Sequence, residues 1–295
     1  MTPAPVLVAT DLTEHSEPAL VRGRAHADAI GAEWIVCHVI PDVLRHHPLA
    51  PTPGQNDVAL AGELTKKAAD LVTEQVGRVL RVSTDRYRVA IAIGRAEDEI
   101  VRLAEAEGAG LVVVGGKPRR GSERYLGHVA ERVVRYVHSS VLVARPSVPT
   151  GAILVATDFT DGATPAVRFG AMLVDKVAAR ATLLHVLHIR SAASAVASLA
   201  AAFGSPWVPP SQGAIDQLEG LGQAMLEDLA KEHRFSRVEQ IAGDPAELIV
   251  ERASAIGAEM ILMGSRGRTG LARLVLGSTA EKVIRTSDAS VLIVR

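Results

Sequence analysis

The segment Gly264–Arg285, GSRGRTGLARLVLGSTAEKVIR, carries residues whose types and spacing suit the holding of an anion. Gly264 is followed after two residues by Gly267, and after nine more by the pair Gly277-Ser278. Glycine permits positive φ and lets backbone N–H groups approach a ligand with no Cβ in the way. Gly277-Ser278 is predicted to open a helix, where free N–H groups and the dipole favour negative charge. The spacing therefore describes a loop that folds over phosphates and returns them to a helix start. It is neither a Walker A loop nor a dinucleotide-binding glycine fingerprint. A purely structural reading competes at Ser278, because Ser278-Thr279-Ala280-Glu281 has the form of a capping box. That reading leaves Gly264 and Gly267 unexplained.

A second candidate is Asp158, which follows Thr157 at the end of the apolar run AILVAT and is matched by Thr10-Asp11 after VLVA. Its carboxylate would either cap the following turn or accept hydrogen bonds from a ligand in a crevice. A phosphatase nucleophile of the haloacid dehalogenase kind would need a second Asp two residues on. Thr160 and Thr13 stand there instead.

These residues lie in a chain that is written twice. VLVATDLTEHSEPAL at Val6–Leu20 returns as ILVATDFTDGATPAV at Ile153–Val167, and CHVI at Cys37–Ile40 returns as LHVL at Leu184–Leu187, both at an offset of 147. SSVLVAR, ending at Arg145, returns as ASVLIVR, ending at Arg295. The period is far above that of solenoid repeats, so the unit copied is a whole domain. The expected domains are 1–146 and 151–295, joined by the short proline-bearing linker RPSVPT. Within each copy, short runs apolar on both faces alternate with helical-period segments, which predicts a parallel sheet with helices on both sides. In the second copy the expected helices are about Pro165–Ala178, Ala214–His233, Pro245–Ile256 and Thr279–Arg285. Such sheets bind ligands at the carboxyl ends of their strands, where strand order reverses.

The copies differ where phosphate would sit. In the first, Gly115 matches Gly264, but Pro118 stands at the position of Gly267, the loop is one residue shorter before Gly127, and His128 replaces Ser278. Proline lacks an N–H and fixes φ near −65°. The expectation is that the second copy binds the ligand and the first binds it weakly or not at all. Lys117, Arg119 and Arg120 are either solvated loop residues or point charges for an anion.

Composition narrows the function classes. Lys and Arg number 32 against 33 Asp and Glu, a balance without the basic footprint expected of a nucleic-acid or anionic-membrane binder. The single cysteine, Cys37, excludes an intramolecular disulfide and a cysteine metal cluster, and reads as a small core residue. The N-terminus has neither a basic region nor a long apolar one, and the Ala-rich stretch Ser191–Phe203 is too short to span a bilayer, so a cytoplasmic protein is expected. His46-His47 and the pair His185 and His188 lack a supporting third ligand and are read as incidental rather than metal-binding. The stretches about Asp42–Gly62 and Ile189–Gly213 leave the carboxyl edge and are candidate lids, with Trp207 read as a loop anchor.

Taken together, the Gly-x2-Gly-x9-Gly-Ser loop, the Asp after the first strand and the apolar last strand resemble the universal stress protein family, over both halves. The resemblance implies a tandem member: two doubly wound α/β domains, each a five-stranded parallel sheet of order 3-2-1-4-5. It also implies ATP, with or without Mg²⁺, between the ends of strands 1 and 4. On the family pattern Asp158 and the backbone at Val186 would hold the adenosine end. Gly264, Arg266, Gly267, Gly277, Ser278 and Thr279 would line the ribose and phosphates, with Thr157 and Met263 beside them. The expected role is nucleotide-dependent regulation rather than catalysis, since the loop holds no carboxylate for a metal. A slow ATP-hydrolysing or phosphate-transferring enzyme and a nucleotide-free dimerisation module are the alternatives. The apolar last strands need covering, which suggests pairing between the two halves and leaves room for a homodimer.

Overall fold

A computed structural model describes residues 3–42, 55–116, 126–188, 211–265 and 276–295, with residues 55–60 described by backbone alone. The chain divides into two compact units, Met1–Pro146 and Ser147–Arg295.

The first unit runs β1 (Val6–Ala9), α1 (Glu17–Ile30), β2 (Trp34–Pro41), α2 (Gln55–Leu80), β3 (Arg88–Gly94), α3 (Ala96–Ala106), β4 (Leu111–Gly115), α4 (His128–Tyr136) and β5 (Ser140–Ala144). The second runs β6 (Ala152–Thr157), α5 (Thr164–Val177), β7 (Arg180–Leu187), α6 (Gln212–His233), β8 (Arg237–Ala242), α7 (Pro245–Ala255), β9 (Met260–Gly264), α8 (Ser278–Thr286) and β10 (Ser290–Val294). Strand order is β3-β2-β1-β4-β5 in the first and β8-β7-β6-β9-β10 in the second. Every pairing within these five-strand orders is parallel. The expected α/β class and strand order are both present.

The order explains the layers. The first two connections of each unit step one way across the sheet and the last two step the other way. Because such crossovers are right-handed, the two pairs of helices cover opposite faces. Consistently, α1 packs on α2 and α3 on α4, as α5 does on α6 and α7 on α8. Strands enclosed on both faces must be apolar throughout. All four residues of β1 and all six of β6 are buried. Most of the largest fully buried side chains, among them Leu7, Ile35, Leu154, Leu183, Ile261 and Leu292, lie on strands, while Leu20, Leu226 and Ile284 come from the helices packed on them. Cys37 is part of this core, and burial pushes its thiol up to about 12, so it stays unionised and inert.

One sequence expectation is corrected. The stretch about Asp42–Gly62 is not loop throughout, since α2 already begins at Gln55. The Ala-Leu-Ala run at 59–61 has high helix propensity, which outweighs Gly62. The second proposed lid is likewise shortened, since α6 begins at Gln212 with Ser211 as its cap. Residues 43–54 and 189–210, with Ser191–Phe203, Trp207 and His46-His47 among them, lie outside the described residues. Among the described residues no helix is long and apolar enough to cross a membrane.

Candidate functional site

Strand order in the second unit reverses between β6 and β9, so the crevice of this sheet opens at their carboxyl ends. Val155 stands opposite Leu262, and the two strands leave the sheet side by side at Thr157 and Gly264.

The β6 end is held by a small set of hydrogen bonds. Thr157, buried, accepts the Phe159 N–H on its Oγ1 at 3.1 Å. Asp158 Oδ1 accepts both the backbone N–H of Thr160, at 3.1 Å, and the Thr160 hydroxyl, at 2.6 Å. Between these turns Phe159 takes φ +63°, a left-handed conformation unusual for so large a side chain. Its ring lies against His185, with centroids 4.3 Å apart. His185 is buried in β7, and its Nδ1 lies 2.9 Å from the Thr157 carbonyl oxygen. A carbonyl only accepts, so Nδ1 carries the hydrogen. The histidine that each copy repeats is therefore a backbone latch, since His38 makes the same 2.9 Å bond to Thr10 in the first unit. The first unit also repeats the turn: Leu12 takes φ +65°, and Asp11 Oδ1 accepts Thr13 N–H at 3.0 Å and the Thr13 hydroxyl at 2.6 Å. Burial pushes the Asp11 carboxyl up, but the Thr13 hydrogen bonds outweigh it and hold the group below the ordinary carboxylate range. The capping role of the strand-end aspartate is thus real in both copies. In Asp158 it engages one oxygen, and Oδ2 takes no hydrogen bond from the described residues.

Gly264 has a reason of its own. A Cβ built on it would fall 2.0 Å from the Gly162 carbonyl oxygen and 3.0 Å from Ala163 Cα. The loop from β6 to α5 rests directly on the end of β9, and only glycine allows that approach. Gly115 meets the backbone at His15 in the same way, with 2.5 Å to its oxygen. This glycine is a packing requirement shared by both copies and does not by itself report a ligand.

The far end of the loop differs from the expectation. The N-cap of α8 is Gly277, with φ −65° and ψ 147°, and no side chain among the described residues caps the helix. Gly277 O accepts Glu281 N–H at 2.9 Å. Ser278 is therefore already the first helical residue, one position too late for its hydroxyl to act as the cap. The capping box that competed as a reading of Ser278 does not form, and the Glu281 carboxylate turns instead to Arg285 at 2.9 Å. Gly277 N–H donates to Ser265 O at 2.9 Å, so the loop leaves and re-enters at one point on the β9 end. Ser278 is exposed and Thr279 half-buried, at a helix start whose first N–H groups no described side chain caps.

Of the remaining candidates, Val186 and Met263 are buried within β7 and β9, and His188 is exposed just beyond β7. Arg266 and Gly267, with Lys117, Pro118, Arg119 and Arg120 in the first unit, lie outside the described residues. Among the described residues no group of His, Cys, Asp and Glu is placed to hold a metal ion. The structure thus brings Thr157, Asp158, Gly264, Gly277 and Ser278 to one sheet edge, and adds Phe159, Gly162 and Ser265, which sequence reasoning missed, and His185, which it read as incidental. The repeated His at the strand-2 position was the one signal that could have found the latch.

The sequence model described as the universal stress protein family matches residues 4–145 and again 150–295. Stress response protein NhaX of Bacillus subtilis is 47% identical over 58 residues, 20% of this chain and about a third, 35%, of its own length. Universal stress protein YxiE of the same organism is 32% identical over 152 residues, 48% of this chain and 97% of that protein. Among solved structures, a universal stress protein from Archaeoglobus fulgidus superposes with TM-score 0.70 at 21% identity, covering 100% of this chain and 99% of that one.

Proposed function

Because this chain belongs to the universal stress protein family and carries the family's domain twice, we propose that it is a regulatory protein that binds an adenine nucleotide, ATP foremost, at the carboxyl edge of its second unit. One observation supports this above the rest. Gly277 N–H donates to Ser265 O, which holds the end of β9 against a helix start that no described side chain caps. Free N–H groups at a helix start attract phosphate.

In this reading Asp158 accepts hydroxyl hydrogen bonds from the ribose through the oxygen that Thr160 leaves open, while the backbone at Val186 and the side of Met263 face the adenosine. Gly264, Arg266, Gly267, Gly277, Ser278 and Thr279 surround the phosphates. Mg²⁺, if it accompanies the nucleotide, neutralises phosphate charge. The protein's own part is to position donors around a bound anion, and the output is a changed surface rather than a reaction product.

Isothermal titration of the full chain with ATP tests the reading. One site per chain is expected, weakened about tenfold in Asp158→Asn, which keeps the turn but removes the charge. Absence of heat and of any displacement of a fluorescent ATP analogue would overturn nucleotide binding. Two equal sites would overturn the asymmetry between the units.

A further inference from the structure

Glu97 occupies a position built for an apolar residue. The buried stripe of α3 is Glu97, Ile100 and Ala104, and that of α7 is Ala246, Ile249 and Ala253. The two stripes coincide residue for residue, so the first unit has a carboxylate where the second has a methyl group. Glu97 is 6% exposed. A carboxylate so buried must be compensated by positive charge and hydrogen bonds. Arg95 donates to its Oε1 at 3.0 Å, Arg132 Nε lies 3.7 Å away, and His128 Nδ1 lies 3.8 Å away. Burial pushes the Glu97 carboxyl up, but its backbone hydrogen bond, Arg95 and His128 outweigh this and keep it ionised. Asp98 also faces this group, 3.8 Å from Arg132 and 3.7 Å from Arg95.

His128 is the first residue of α4 and Arg132 lies one turn further on. They are the counterparts of Ser278 and Lys282 in α8. In the second unit Glu247, the counterpart of Asp98, pairs with Lys282 at 2.9 Å, and Asp244 lies 3.3 Å from the same ammonium, so a carboxylate faces this turn of the helix in both units. What the second unit lacks is a carboxylate at the position of Glu97, where Ala246 stands, and no described carboxylate hydrogen-bonds to Ser278. In the first unit that extra carboxylate lies 3.8 Å from the side chain that opens α4. Arg132 Nε, itself buried, makes no hydrogen bond among the described residues, so its attraction to Glu97 is through charge alone.

We propose that Glu97 is the specificity-determining residue that separates the two units: it stands in for a ligand's anionic group at the start of α4 and excludes phosphate from the first unit. The proposal rests on the assignment of phosphate to the α8 start in the second unit. It adds that the first unit is barred by an internal anion, beyond the changes in its glycine loop.

Amide-resolved NMR of the full chain, titrated with inorganic pyrophosphate, tests this with the two units read separately. The His128 amide reports the first unit and the Ser278 amide the second. In the unaltered protein His128 is expected to show no saturable shift. In Glu97→Ala, which installs the residue of the other unit, His128 is expected to titrate at least tenfold more tightly. Glu97→Gln, which keeps the volume and removes the charge, should move in the same direction and decides the matter should the alanine variant not fold. Equal titration of His128 in the unaltered protein and the variants would overturn the proposal, as would no titration in the folded variants. A silent Ser278 amide would count against the second-unit assignment, whatever His128 does.

Discussion

His185 donates from Nδ1 to the Thr157 carbonyl oxygen at 2.9 Å, a hydrogen bond that fixes the end of β6 to the neighbouring strand β7. The bond lies among buried atoms, and the same ring supports Phe159 in its left-handed turn. Replacing His185 with Leu leaves a buried carbonyl without this donor and removes an aromatic contact. Losses of about 1–3 kcal/mol for the former and about 0.5–1.5 kcal/mol for the latter are expected. Urea denaturation should show a second unit destabilised by roughly 2–4 kcal/mol. His38→Leu, which has Leu12 rather than Phe159 as the turn residue, should lose less. Equal losses in the two variants would show that the ring contact contributes nothing.

Ser278 separates two roles that its sequence context confuses. As an N-cap its loss would cost about 1 kcal/mol, whereas an exposed hydroxyl in the first helical position should contribute within about 0.5 kcal/mol. Ser278→Ala is therefore expected to unfold at nearly the same urea concentration as the parent while losing nucleotide affinity, measured by titration. A drop in stability with affinity intact would reverse the assignment of this residue.

Much of the fold was legible because two-sided burial leaves few options. AILVAT admits no polar face, and Pro165 and Pro245 near helix starts and Gly31 just past the end of α1 mark boundaries in the ordinary way. The place of the candidate crevice was legible for the same reason, since a parallel sheet of this order has one crevice per unit. The role of each residue there was less so. Spacing cannot tell a glycine that clears a neighbouring carbonyl, as Gly264 does, from one that clears a ligand. At Ser278 the capping reading stayed open beside the ligand one because a capping pattern shifted by one residue looks the same in sequence as one in register. Glu97 was invisible because a carboxylate on a helix ordinarily faces solvent, and only packing shows that this one does not.

His26 in α1 gives the first unit a pH dependence of known sign. Burial pushes its imidazole down from 6.5 to about 4. Between these values the unfolded chain binds a proton that the folded one refuses, so stability rises with pH across that window and is lost as pH falls through it. The loss at pH 4 approaches about 3 kcal/mol. Carboxyl groups held low, among them Asp11 and Asp244, add their own losses only further down, as pH falls below their ordinary values. Denaturation at several pH values between 7 and 4 should show this slope in the parent protein and a flatter one in His26→Gln. An unchanged slope in the variant would assign the effect to other groups.

Gly264 and Gly277 bracket the same loop but need to be glycine for different reasons, and alanine at each distinguishes backbone from ligand. At Gly264 the added methyl meets main chain, at 2.0 Å from Gly162 O and 2.8 Å from Gly162 C, and neither side can rotate away. Overpacking of this kind costs about 1–3 kcal/mol or more, so Gly264→Ala should be clearly destabilised and should displace the loop before α5. The matching Gly115→Ala, which meets His15 O at 2.5 Å, should behave alike even though the first unit has the altered loop. Gly277 sits at φ −65°, which any residue adopts, so alanine there costs only what a weaker N-cap residue does, under about 1 kcal/mol. If nucleotide passes close to this backbone, Gly277→Ala should nevertheless lose at least tenfold in ATP affinity, about 1.4 kcal/mol, with its unfolding midpoint nearly unchanged. An affinity that survives Gly277→Ala would move the phosphates away from the α8 start and leave both glycines with structural duties alone.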